Sequence, residues 1–194
     1  MALSFWKKFF FKCTLSFISI ATILVLGEIA VRVWVAISKR TPLTISDRQT
    51  GWVLVPNLSK QVRVDLSGQY VISTNAEGLR LSTDEGEEKQ SKTPAVILVG
   101  DSFVQGVGVD DKDTFAWLIA QRNPWRVINL GVLGYGTDQE LLRLESYLKE
   151  HPDLDVKDVL VFVFDNDFDD VQNKYEFWLG RSKPFFRVNN GLLE

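Results

Sequence analysis

Three residues in the second half of the chain have the types and spacing that acyl chemistry uses. Ser102 follows the apolar run Ala95 to Val99 across a short Gly100-Asp101 link. A serine on a tight turn at a strand end projects its hydroxyl into a cleft, as in a nucleophile elbow. Gly134 lies in the Gly-rich stretch 131–136, where a missing side chain leaves the backbone N–H open to a ligand. Asn166 follows a third apolar run and offers a side-chain amide. A serine hydroxyl flanked by backbone N–H donors and an amide is a nucleophile with an oxyanion hole, suited to the tetrahedral intermediate of ester cleavage. Each residue also has a plainer reading: Gly-Asp-Ser as a turn, Gly134 as a loop glycine, Asn166 as a turn former. Chemistry is favoured because all three follow successive strands.

A serine hydroxyl needs a base, and the chain has one histidine, His151. It precedes the third apolar run, whereas Asn166 follows it. The intervening strand, at roughly 20 Å for six extended residues, puts His151 at the opposite sheet edge from Ser102, as a surface loop residue. The acidic stretch Asp165-Asn166-Asp167-Phe168-Asp169-Asp170 suggests a different chemistry. Asp165, Asp167, Asp169 and Glu176 fall at calcium-ligating positions of an EF-hand frame. That frame wants Gly where Asp170 stands and a helix where a strand precedes, so a solvated acidic turn that carries Asn166 is the preferred reading. No metal and no cofactor is expected.

The elements that must position these residues alternate. Ala95 to Val99, Arg126 to Leu130 and Val159 to Phe164 are short apolar runs of the kind that form buried parallel strands. Asp113 to Arg122 fits a helix, with Asp113 or Thr114 at its start. Thr137 to Lys149 fits another, with Thr137 as cap, Glu140 at capping-box spacing, and Leu141, Leu144 and Leu148 on one face. This order predicts an α/β fold with a parallel sheet and right-handed crossovers. Its sites form beyond the carboxyl ends of the strands, where residues 100–108, 131–137 and 165–170 lie. Upstream, 41–94 reads as a juxtamembrane connector with strand-like runs at Gln61 to Leu66 and Tyr70 to Thr74. Residues 84–92 read as an exposed charged loop.

Residues 1–40 predict a membrane anchor. Cys13 to Gly27 carries no charge, and flanking apolar residues lengthen it to the roughly 20 residues a bilayer requires. Glu28 and Arg32 stand at i,i+4 spacing for an ion pair near the far interface. Lys7, Lys8 and Lys12 favour a cytoplasmic N-terminus, hence a single pass with the remainder extracytoplasmic. A cleaved signal peptide, for which Gly27-Glu28-Ile29-Ala30 is a poor cleavage site, and a buried helix of a soluble protein are the alternatives. The first 40 residues hold six basic side chains and one acid; the remaining 154 hold 16 basic and 24 acidic residues. A soluble portion that acidic lacks the clustered cations that phosphate contacts need, so no nucleic-acid partner is expected. The single cysteine, Cys13, allows no intrachain disulfide.

Over roughly residues 70–194 the sequence resembles the SGNH, or GDSL, hydrolases, especially their membrane-anchored bacterial branch. Gly100-Asp101-Ser102-Phe103 resembles the family's first block. Asn129 with Gly134 five residues on resembles the second, and Phe164-Asp165-Asn166-Asp167 the third. Asn75-Ala76-Glu77-Gly78-Leu79-Arg80 resembles an approach segment of that branch. The resemblance implies a flavodoxin-like three-layer α/β/α sandwich over 95–194, with Ser102 as nucleophile and the Gly134 N–H and Asn166 amide as oxyanion donors. It implies an acyl-ester substrate, such as an O-acetylated carbohydrate, with acyl transfer in some members. Two departures stand out: Phe164 replaces the third block's Gly, and the Asp-x-x-His block that supplies the family's base is missing. Residues 183–194 have the pattern of a hairpin that stops in its second strand after only three parallel strands. An incomplete, truncated SGNH-type domain is therefore the expectation, with an inert fragment as the alternative.

Overall fold

The computed structural model describes residues 2–37, 42–64, 68–84, 93–176, 179–190 and 192–193. The chain divides into two compact units, Met1–Thr41 and Pro42–Glu194.

The first unit is one helix, α1 (Ala2–Ile37). Among the described residues it is the one helix long and apolar enough to cross a membrane, over Phe10–Val33, a stretch of 24 residues with mean hydropathy 2.1. Between Phe10 and Val33 its large apolar side chains are exposed, Phe17 and Leu24 among them. The hydroxyls of Thr14, Ser19 and Thr22 donate to the carbonyls of Phe10, Leu15 and Ile18, four residues back, at 2.8–2.9 Å. These three hydroxyls are thereby satisfied within the helix, the condition a hydrocarbon environment imposes. Arg32 and Glu28 form the ion pair anticipated from their spacing, at 2.7 Å.

The second unit opens with two antiparallel hairpins: β1 (Thr44–Asp47) with β2 (Gly51–Leu54), and β3 (Ser59–Val64) with β4 (Gly68–Ser73). Then follow β5 (Ala95–Val99), α2 (Ser102–Gln105), a 3-10 turn at Asp111–Asp113, α3 (Phe115–Arg122), β6 (Arg126–Asn129), α4 (Thr137–Glu150), β7 (Val156–Val161) and α5 (Asp167–Gln172). Short antiparallel pairs close the chain: β8 (Tyr175–Glu176) with β9 (Arg181–Ser182), and β10 (Val188–Asn189) with β11 (Leu192–Leu193).

Strands β5, β6 and β7 form a parallel sheet in the order β6-β5-β7. The central strand buries both faces. Ala95, Ile97 and Val99 pack with Ile128, Leu130 and the α4 residues Leu144, Tyr147 and Leu148. Val96 and Leu98 pack with Val127, Val104 and the α3 residues Ala116 and Ala120. The two crossover helices therefore cover opposite faces, and each fully buried Val, Leu or Ile side chain contributes roughly 1.5–3 kcal/mol. The strand order reverses direction at β5, and such a reversal leaves a crevice beyond the carboxyl end of that strand.

Three expectations change. The third strand starts at Val156, not Val159, because its Val156 pairs with Ala95; and it is not buried. It lies at the sheet edge, where Val159 to Phe164 are 37–59% exposed and Lys157 and Asp158 reach solvent. Thr137 does not cap α4. Gly136 is the cap residue, and Glu140 turns inward instead of reaching back. The predicted juxtamembrane connector, residues 41–94, is not separate from 95–194: its described part from Pro42 on belongs to the same compact unit. Trp52 of β2 and Arg80 are both buried to within 2%. The loop expected at 84–92 lies outside the described residues beyond Asp84, as do 65 and 66 of the run Gln61 to Leu66.

Candidate active site

Ser102, Gly134 and Asn166 line one cavity of about 510 Å³, together with Asp170, Tyr175 and Glu176. Each comes from the segment after a different strand of the sheet. Ser102 begins α2 three residues beyond Val99, capped by Asp101, whose Oδ1 accepts the Phe103 N–H at 2.9 Å. Gly134 adopts φ +77°, a backbone that side-chain-bearing residues rarely take. Among the described residues no acceptor takes its N–H. Asn166 stands at the start of α5, five residues past the end of β7.

The loop that carries Gly134 is held from several sides. Leu133 N–H donates to Gln105 Oε1 at 2.6 Å, and Leu133 O accepts from Trp52 Nε1 at 3.0 Å. Trp52 meets Tyr135 edge to face at 5.7 Å. Asn129, at the end of β6, donates through Nδ2 to Val104 O at 2.8 Å and accepts the Gly131 N–H at 2.9 Å, tying this loop to α2. Gly131 is a close-approach glycine: a Cβ there would lie 2.3 Å from Gln105 N. The β1–β2 hairpin thus buttresses the site through Trp52, a role that no local motif announces.

One polar chain joins Ser102 to Asn166. Ser102 Oγ donates to Asp101 Oδ2 at 3.2 Å. The Asn166 amide nitrogen donates to the same Asp101 oxygen at 3.0 Å and to Asp170 Oδ2 at 2.8 Å. An amide group has two N–H bonds, so both are engaged, and two carboxylate acceptors fix which way the amide points. Sequence reasoning missed Asp101 and Asp170 in these roles. The signal for Asp170 was its i+4 spacing from Asn166, concealed while 165–170 read as a turn. The EF-hand frame is excluded because α5 occupies its middle, with Asp167 buried.

Behind the cavity lies a group of buried acids. Glu140 is 2% exposed, and among the described residues neither of its carboxylate oxygens has a hydrogen-bond partner. Burial, then the charges of Asp167, Asp101 and Asp138, push its carboxyl up to about 8. Burial also raises Asp167, with Asp101 and Asp170 adding to it against the Phe164 N–H that its carboxylate accepts. Lys183 offsets part of this charge, donating to Asp138 Oδ1 at 3.0 Å and to Asp170 O.

His151 is held away from the cavity. It caps the C-terminus of α4, stacks on Tyr147 at 4.1 Å, and sets Nδ1 2.9 Å from Tyr147 O and Nε2 3.2 Å from Glu77 Oε1. It precedes β7 while Ser102 follows the parallel strand β5, so a strand length of roughly 20 Å separates their sheet edges. Comparison of the chain with protein-family models and with curated proteins gives no match to either.

Proposed function

We propose that this protein is a membrane-anchored serine ester hydrolase of SGNH type, acting on acyl esters such as O-acetylated carbohydrates. The observation that carries the proposal is the convergence of Ser102, Gly134 and Asn166 on one cavity at the carboxyl edge of the sheet. The order β6-β5-β7 with helices on both faces is also the order with which a doubly wound, flavodoxin-like sandwich begins. The α1 helix serves as the anchor, and Lys7, Lys8 and Lys12 favour an extracytoplasmic position for the rest of the chain.

In the proposed reaction Ser102 Oγ bonds to the ester carbonyl carbon. The Gly134 N–H and the Asn166 amide take the oxyanion. The alcohol leaves with the proton that Ser102 gives up, and water then cleaves the acyl-serine to acid and free serine. An acceptor alcohol in place of water makes the same intermediate an O-acyltransferase. The Ser102 hydroxyl has Asp101 Oδ2 as its acceptor, and a carboxylate is a poorer proton acceptor at neutral pH than an imidazole, so slow turnover is expected.

The engaged Asn166 amide and the distant His151 favour a second reading, a module that binds esters without turning them over. A fluorophosphonate probe on the detergent-solubilised chain separates the two. Labelling that disappears in Ser102→Ala supports the hydrolase; wild type left unlabelled supports the binding module.

A further inference from the structure

Asn166 is the one side-chain amide among the three convergent donors, and Asp170 holds one of its N–H bonds at 2.8 Å. Its other N–H goes to Asp101, a 1% exposed carboxylate that also caps α2 and accepts from Ser102. Asp101 is built into the turn. Asp170 is half-buried and faces the cavity, so its N–H is the one a substrate can claim. A neutral ester carbonyl is a weaker acceptor than a carboxylate. It does not displace Asp170 unless something else takes up the carboxylate's charge.

Among the described residues the cavity wall supplies no such group. Among these residues its charged lining is Asp170 and Glu176, with no Lys, Arg or His. Glu176 approaches from β8, its Oε2 3.7 Å from where a Cβ on Gly134 would stand. Lys183 is turned to Asp138 and to the Asp170 carbonyl, behind the wall. The compensating charge must come with the ligand.

We infer that the cavity takes an ester carrying a positive charge beside its carbonyl, whose cation pairs with Asp170 while its carbonyl oxygen takes the Asn166 N–H that Asp170 gives up. The inference rests on the serine-esterase reading for turnover but not for binding. Asp170 excludes anionic esters by repulsion and by staying on Asn166. Substrate charge thereby assembles the oxyanion hole, and an uncharged ester meets a hole already occupied.

Acetylcholine and its uncharged isostere 3,3-dimethylbutyl acetate test this, with 2-sulfoethyl acetate as the anionic member. The solubilised full-length chain is followed by acid release. The expected result is at least a tenfold higher kcat/KM for the cationic ester than for its isostere, and none detectable for the anion. In Asp170→Ala the preference collapses and the neutral ester is turned over faster. Binding is read separately by calorimetry on Ser102→Ala, where acetylcholine binds and the isostere does not, and where adding Asp170→Ala abolishes binding. Equal handling of the two esters, or a preference that survives Asp170→Ala, overturns the inference. Turnover that persists in Ser102→Ala overturns the esterase reading instead. Cation binding without turnover supports the inference and favours the binding-module reading.

Discussion

The Arg80 guanidinium meets the Asp111 carboxylate at 2.9 Å, with the Arg80 side chain wholly buried. Its remaining N–H groups donate to the carbonyls of Val71, Gln105, Gly106 and Val109. One side chain from the segment before the sheet thus holds β4, the end of α2 and the loop that follows it. A planar fork with five donors matches this ring of acceptors, whereas an ammonium has three. Arg80→Ala is expected to cost about 3–5 kcal/mol, because it strands a buried carboxylate and several carbonyls. Arg80→Lys is expected to recover less than half of that. Urea unfolding of the solubilised chain measures both; an alanine variant as stable as wild type would refute the assignment.

Glu140 sets a pH dependence opposite in sign to that of an ordinary ion-paired acid. Its carboxyl is raised from 4.5 to about 8 in the folded chain by burial and by Asp167, Asp101 and Asp138. Between these values the folded state holds a proton that the unfolded state has lost. Stability is therefore full below pH 4.5 and declines as pH rises to about 8. At about 1.36 kcal/mol per pKa unit, the loss is on the order of 3–5 kcal/mol. Glu140→Gln keeps the shape without the charge, so it is expected to be more stable than wild type at pH 8 and to flatten the decline. Unfolding midpoints at pH 5.5 and pH 8 decide; an unchanged slope in the variant would point to other groups.

The parallel sheet was legible in the sequence because β5 buries both faces, and a continuous apolar run is what that demands. The edge strand was placed late because Lys157 and Asp158 interrupt its apolar run at positions an edge leaves open to water. The capping box failed at Thr137 because Gly136 takes the cap position: a Cβ there would lie 2.8 Å from Val171 N. Arg80 could be seen as part of a motif, but four of its acceptors are backbone carbonyls, which every residue has and no pattern marks. The Ser102, Gly134 and Asn166 positions were legible from strand ends alone. The engagement of Asn166 was not, since it depends on α5, whose three acids and weak apolar periodicity concealed a helix.

Gly134 tests whether its backbone, and not merely its small size, matters to the cavity. A Cβ there has room: the nearest atoms are Trp52 Cζ2 at 3.5 Å and Glu176 Cγ at 3.7 Å. The penalty for Gly134→Ala is conformational, because φ +77° costs a side-chain-bearing residue roughly 1–2 kcal/mol. Rotating the 133–134 peptide relieves that strain, gives up the Trp52 Nε1 bond to Leu133 O and swings the Gly134 N–H off the cavity. The variant is therefore expected to stay folded, with a Tm lower by a few degrees, while fluorophosphonate labelling of Ser102 slows about tenfold, the equivalent of about 1.4 kcal/mol in the transition state. Gly131→Ala is the contrast, since its Cβ would strike Gln105 N at 2.3 Å and is expected to prevent folding. If Gly134→Ala labels at the wild-type rate despite a lower Tm, the Gly134 N–H is not an oxyanion donor.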